Sequence, residues 1–81
     1  MRVAVRLFAR ARELAGAEQL EIELTEPATV GQLKERLQEQ CPQLGPLLPQ
    51  LHVAVGAEYA TNDTPLADSA DVACFPNVSG G

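Results

Sequence analysis

A chain of 81 residues and 8.6 kDa has room for one small domain, and its 46% hydrophobic and 21% charged residues mark a globular fold rather than a disordered or fibrous one. A domain of this size buries only about 60% of its unfolded surface, too thin a core to spare a substrate pocket of about 300 to 1,000 Å³, so a carrier, adaptor or subunit fits better than a self-sufficient enzyme. The net charge is -5, and all six basic residues lie at or before Arg36, balanced there by six glutamates; from Leu37 onward the chain is purely acidic, which disfavours nucleic acid and anionic lipid and suits either a basic protein surface or a solvated acidic face that only aids solubility.

Val3, Val5 and Leu7 alternate with Ala4, Arg6 and Phe8, and the alternation carries on to Ala9 and Arg10, the period of a strand. The acid-free, arginine-rich residues 1 to 12 have the composition of a transit peptide, but Arg6 and Arg10 interrupt any secretory apolar core, and removing the segment would cost the fold its best strand. No segment approaches the roughly 20 apolar residues of a membrane span, and the expected location is the cytoplasm. Ala11 to Ala15 favours a helical turn closed by a left-handed Gly16. Leu20, Ile22 and Leu24 then alternate with Glu21 and Glu23 as a half-buried strand, antiparallel to the first.

Thr25 to Ala28 breaks the pattern. Thr29 with Gln32 forms a capping box ahead of Val30, Leu33, Leu37 and Cys41, whose spacing of three and four predicts an amphipathic helix of about three turns stopped by Pro42. Gln43 to Gln50 should be irregular, with Leu44, Leu47 and Leu48 plugging the edge of the core. A strand is expected at Leu51 to Val55, a pause at Gly56, a short strand near Tyr59, a turn at Asn62 to Pro65, and a last strand Val72 to Phe75 ended by Pro76. One helix covers one face of a sheet, so the order predicts a two-layer α+β domain: a mixed sheet wrapped around a single main helix, the β-grasp plan. Residues 1–75 form that domain and 76–81 an extended tail.

Most chemical motifs are absent: there is no P-loop, no GxGxxG, no nucleophile elbow and no cluster of metal ligands. Cys41 and Cys74 read as small buried hydrophobes rather than reactive thiols or a disulfide, and His52 as an outward-facing strand residue rather than a ligand or base. What remains is the ending Phe75-Pro76-Asn77-Val78-Ser79-Gly80-Gly81. Glycine lacks a Cβ, so Gly80 and Gly81 would pass a narrow channel, and six extended residues reach on the order of 20 Å into a partner. The terminal carboxylate is an anion at neutral pH and a poor electrophile until activated, so such a tail suits acyl activation at its own end.

With this ending, and with the segment Phe8-Ala9-Arg10-Ala11-Arg12-Glu13-Leu14-Ala15-Gly16, the chain resembles the molybdopterin synthase small-subunit family of ubiquitin-like sulfur carriers along its whole length. The family commonly has a second proline where Asn77 stands and an asparagine where Gly56 stands. The resemblance implies that a ubiquitin-activating-like adenylyltransferase uses ATP to adenylate the Gly81 carboxylate. A sulfur donor protein then converts it to a thiocarboxylate, and the tail enters the large subunit of molybdopterin synthase to give sulfur to a pterin precursor. It further implies that Gly80 and Ser79 provide access, that Phe75, Pro76 and Val78 contact the partner, and that the assembly holds two copies of each subunit. The catalytic pocket would lie on the large subunit, with no metal or bound cofactor on this chain. Alternatives with the same plan are a carrier for thiamine or tRNA thiolation, and a ubiquitin-like modifier or binding domain.

Overall fold

The computed structural model describes residues 1–76. Seven strands and two helices follow in the order β1 (Arg2–Leu7), α1 (Ala9–Ala15), β2 (Gln19–Glu23), β3 (Ala28–Thr29), α2 (Val30–Gln40), β4 (Leu51–Val55), β5 (Glu58–Ala60), β6 (Pro65–Leu66) and β7 (Asp71–Pro76). Five of them make one mixed sheet in the order β2-β1-β7-β4-β5. β1 is antiparallel to β2 and parallel to β7, which in turn is antiparallel to β4. With α2 across one face, this is the expected β-grasp arrangement, and β7, last in sequence, is its central strand.

Period-2 alternation sends Val3, Val5 and Leu7 of β1, Ile22 of β2, Leu51 and Val53 of β4, and Val72 and Cys74 of β7 to the helix side, where all are buried. α2 answers with Val30, Leu33 and Leu37, all fully buried. Its start is the capping box read from sequence: the Gln32 N–H donates to Thr29 Oγ1 at 3.4 Å, and the Thr29 N–H donates to Gln32 Oε1 at 2.9 Å. The helix closes where Pro42 follows, with the Cys41 N–H on the Leu37 carbonyl at 2.8 Å. Leu44 and Leu48, in two short 3₁₀ turns, seal the core edge as expected.

Three local features differ from the sequence expectation. The first strand stops at Leu7, because the extended Phe8 gives its N–H to the Cys74 carbonyl at 3.1 Å and Ala9 then takes φ 53, turning the chain into α1 two residues before the expected helical turn. A second helix therefore exists, with Ala11 buried beneath it and Gly16 closing it in the left-handed region at φ 71, as predicted. A two-stranded sheet pairs β3 with β6, Ala28 opposite Leu66. Two-residue strands carry no readable period, so the sequence signalled only the turns around them. Finally, Pro76 does not end the last strand but belongs to it, opposite Leu51. Gly56 turns the β4–β5 hairpin at φ 66, a conformation that asparagine also tolerates, so its difference from the family pattern leaves the turn intact.

Candidate functional site: the root of the C-terminal tail

Of the residues expected to act, Ser79, Gly80, Gly81 and Val78, together with Asn77, lie outside the described residues. Phe75 and Pro76 are placed, and they define where the tail begins. From Val72 to Cys74, β7 is paired on both sides, with Leu7 of β1 beside Cys74; Phe75 and Pro76 pair with His52 and Leu51 of β4 alone. The described chain therefore ends on a strand anchored to β4 up to its last residue.

Alternation along β7 sends Cys74 inward and Phe75 to the face opposite α2. There Phe75 meets His52 of β4 at 5.9 Å between ring centroids and Tyr59 of β5 at 5.8 Å, while His52 and Tyr59 stand edge to face at 6.0 Å. These separations are those of favourable aromatic pairs. Phe8 extends the same face from the end of β1; it is 43% exposed, and the Arg6 guanidinium carbon lies 5.9 Å from its ring centre. Tyr59 is 77% exposed. All three aromatic residues of the chain thus sit on the outer face around the tail root, while the core is aliphatic with two cysteines. Bulky rings left in water beside a polar rim make this face the candidate docking surface.

Sequence reading named Phe75 but not Phe8, Tyr59 or His52 as part of this surface. Phe8 was legible, since it alternates on the arginine side of β1. Tyr59 and His52 needed the register: only the β4–β5 and β4–β7 pairings, Ala54 with Tyr59 and His52 with Phe75, bring them together. His52 is exposed on its strand, as expected.

The rim is polar and largely self-neutralised. Arg6 pairs with Asp71 at 3.1 Å, Arg12 with Glu18 at 3.4 Å, and Arg10 with Glu13 at 3.5 Å. Farther along the sheet Arg2 bridges Glu21 at 3.6 Å and Glu23 at 2.8 Å, and these carboxylates raise its already high pKa, the Glu23 hydrogen bond most of all. Arg2, Glu21 and Glu23 line a surface cleft of about 580 Å³ at the end of the sheet away from the tail root, with Arg2 shared between the two carboxylates.

Both thiols are buried and unlinked, in agreement with the sequence reading. Burial pushes the Cys74 pKa up from 9.0 to about 11, only partly offset by the Lys34 ammonium. Although it stands two residues before Pro76, Cys74 is a protonated core side chain and not a nucleophile.

Comparison with known proteins agrees with this geometry. The ThiS family model matches residues 5–81. The molybdopterin synthase sulfur carrier subunit of Arabidopsis thaliana is 30% identical over 79 residues, covering 98% of this chain and 82% of that protein. Among solved structures, SAMP1 of Haloferax volcanii, a small archaeal modifier protein, superposes with a TM-score of 0.89 at 27% identity, with 100% of each chain covered. A chain from the complex of subunits 1 and 2 of the molybdopterin-converting factor of Helicobacter pylori superposes with a TM-score of 0.73 at 27% identity, again over 100% of both chains. The strand-bound tail root, the β-grasp core around it and the match over residues 5–81 together mean that the chain belongs to the ThiS family.

Proposed function

We propose that the chain is the sulfur-carrying small subunit of a molybdopterin synthase, and that its functional group is the Gly81 carboxylate. The observation that carries the reading is the ending Phe75-Pro76-Asn77-Val78-Ser79-Gly80-Gly81, rooted in the central strand and ringed by exposed aromatics, in a member of the ThiS family. The whole-length likeness to the Arabidopsis sulfur carrier and to a chain of the Helicobacter two-subunit complex supports the choice of pathway and of partner.

In this reading a partner adenylyltransferase binds ATP, and an oxygen of the Gly81 carboxylate attacks the α-phosphorus, expelling pyrophosphate. The acyl-adenylate turns the poor electrophile into a mixed anhydride. Sulfide released by a donor protein attacks the same carbon, the carbon–oxygen bond to AMP breaks, and loss of the sulfur's proton leaves Gly81 as a thiocarboxylate. The large subunit then receives the tail, and the sulfur passes to the pterin precursor. The chain's part is to present residues 77–81 from the end of β7 and to dock through Phe8, His52, Tyr59 and Phe75; the acid–base groups belong to the partners. The buried Cys74 and Cys41 leave the chain without a thiol of its own to compete for the activated carbon.

The test is intact mass measurement of the chain made in cells that carry the activating enzyme. The expected result is the gain of one sulfur for one oxygen, abolished by deleting Gly81, and formation of molybdopterin when the loaded chain meets a large subunit and precursor. Absence of the gain under sulfur-replete conditions would rule the reading out. A second reading, a protein modifier, is favoured by the superposition on SAMP1. It predicts instead isopeptide adducts of Gly81 on lysines of other proteins.

A further inference from the structure

β2 is an outer strand of the five-stranded sheet, and such an edge offers a row of open backbone groups to any other strand. The Leu7 N–H reaches the Glu18 carbonyl and the Leu24 N–H the Met1 carbonyl, both at 2.8 Å. Antiparallel alternation from these bonds turns the backbone groups of Gln19, Glu21 and Glu23 away from β1, toward the open edge. Two of those three carbonyls are occupied by α2. Gln40 Nε2 donates to the Glu21 carbonyl at 3.4 Å, and Arg36 Nε donates to the Glu23 carbonyl at 3.3 Å. Arg36 is itself held in place by Glu39 at 2.9 Å.

We propose that Arg36 and Gln40 guard the β2 edge, closing it to a second copy of this chain. The excluded occupant is another β2 because the edge is complementary to itself. In an antiparallel register centred on Glu21, Leu20 of each copy opposes Ile22 of the other, and the outward groups of residues 19, 21 and 23 meet those of 23, 21 and 19. Repulsion between the two sets of glutamates would be a natural barrier to that pairing. Here it is blunted, because Arg2 is shared between Glu21 and Glu23 within each copy and offsets one of their two charges. The side-chain caps from α2 add the further obstacle between the edge and a ten-stranded sheet running across two molecules. The guard acts on the free chain and is independent of any sulfur chemistry.

The test is sedimentation velocity of the full chain from micromolar to millimolar concentration. The wild type is expected to stay monomeric. The Arg36→Met, Gln40→Met double variant keeps straight-chain helix formers and their apolar stems but removes both donors, and it is expected to self-associate at least tenfold more tightly. Adding Glu21→Pro, which deletes an edge N–H without touching a β1–β2 bond, is expected to restore the monomer. Three results would each overturn the proposal: a folded double variant that remains monomeric throughout, a dimer that persists with Glu21→Pro, or a wild type that already pairs through β2. Should the double variant lose its fold, the single Gln40→Met, which leaves the Arg36–Glu39 pair intact, is read in the same way.

Discussion

Cys74 couples the core to pH. The folded chain holds its proton up to about pH 11, whereas an exposed thiol releases it near 9.0. A pKa raised by folding contributes stability that is complete below the unfolded value and is lost as pH rises through the folded one. Unfolding free energy is therefore expected to fall between about pH 9 and 11, by about 3 kcal/mol from this residue alone. Denaturant titrations across that range should show the fall in the wild type and lack it in Cys74→Ala; equal slopes in the two proteins would refute it. At neutral pH the same burial makes the thiol inert, which matters in a chain read as carrying sulfur at its terminus. Ala9, unlike Cys74, is not legible from its type: at φ 53 it occupies a region that favours glycine, a placement set by the turn between β1 and α1 rather than by any preference of alanine, and Ser69 at φ 66 shares that region.

At the level of elements, the strongest local signal in the sequence was also the most faithful. Thr29 and Gln32 satisfy each other's backbone donors at the start of α2, the helix that contributes Val30, Leu33 and Leu37 to the core. Thr29→Ala is expected to cost about 1 kcal/mol and lower the melting temperature by several degrees, with Thr29→Asn close to wild type; thermal unfolding of the three proteins checks this. β1, β2, α2, β4 and β7 were legible because each buries one side and shows its period. β3 and β6 were not, since two residues define no period, and α1 was legible only in part because Phe8 and Ala9 continue the alternation of β1 past the point where the backbone turns. Pro76 was misplaced for a different reason. Proline lacks an N–H but can still lie at the end of a strand, where few ladder bonds remain to be lost.

The proposed docking surface belongs to the whole molecule, because no single element carries it. Phe8, His52, Tyr59 and Phe75 come from β1's end, β4, β5 and β7, and only the sheet order unites them. Tyr59 makes the cleanest probe, being 77% exposed and outside the core. Tyr59→Ala is expected to weaken binding to the large subunit at least tenfold while shifting the melting temperature little; titration calorimetry beside a thermal melt separates the two, and unchanged affinity would remove Tyr59 from the interface. The expected tail chemistry rests on residue types alone, because residues 77–81 lie outside the described residues. The charge pattern changed most on folding. Its division into a neutral first part and an acidic remainder does not persist in space, since β7 lies against β1 and Asp71 meets Arg6, while Arg36 reaches Glu39.

The central place of β7 has a mechanical consequence. A pull applied at the end of β7 would act along its axis, across the perpendicular bonds of its antiparallel ladder with β4 and the slanted bonds of its parallel ladder with β1. Such a load falls on several bonds together instead of peeling them open one at a time, as it would on an edge strand.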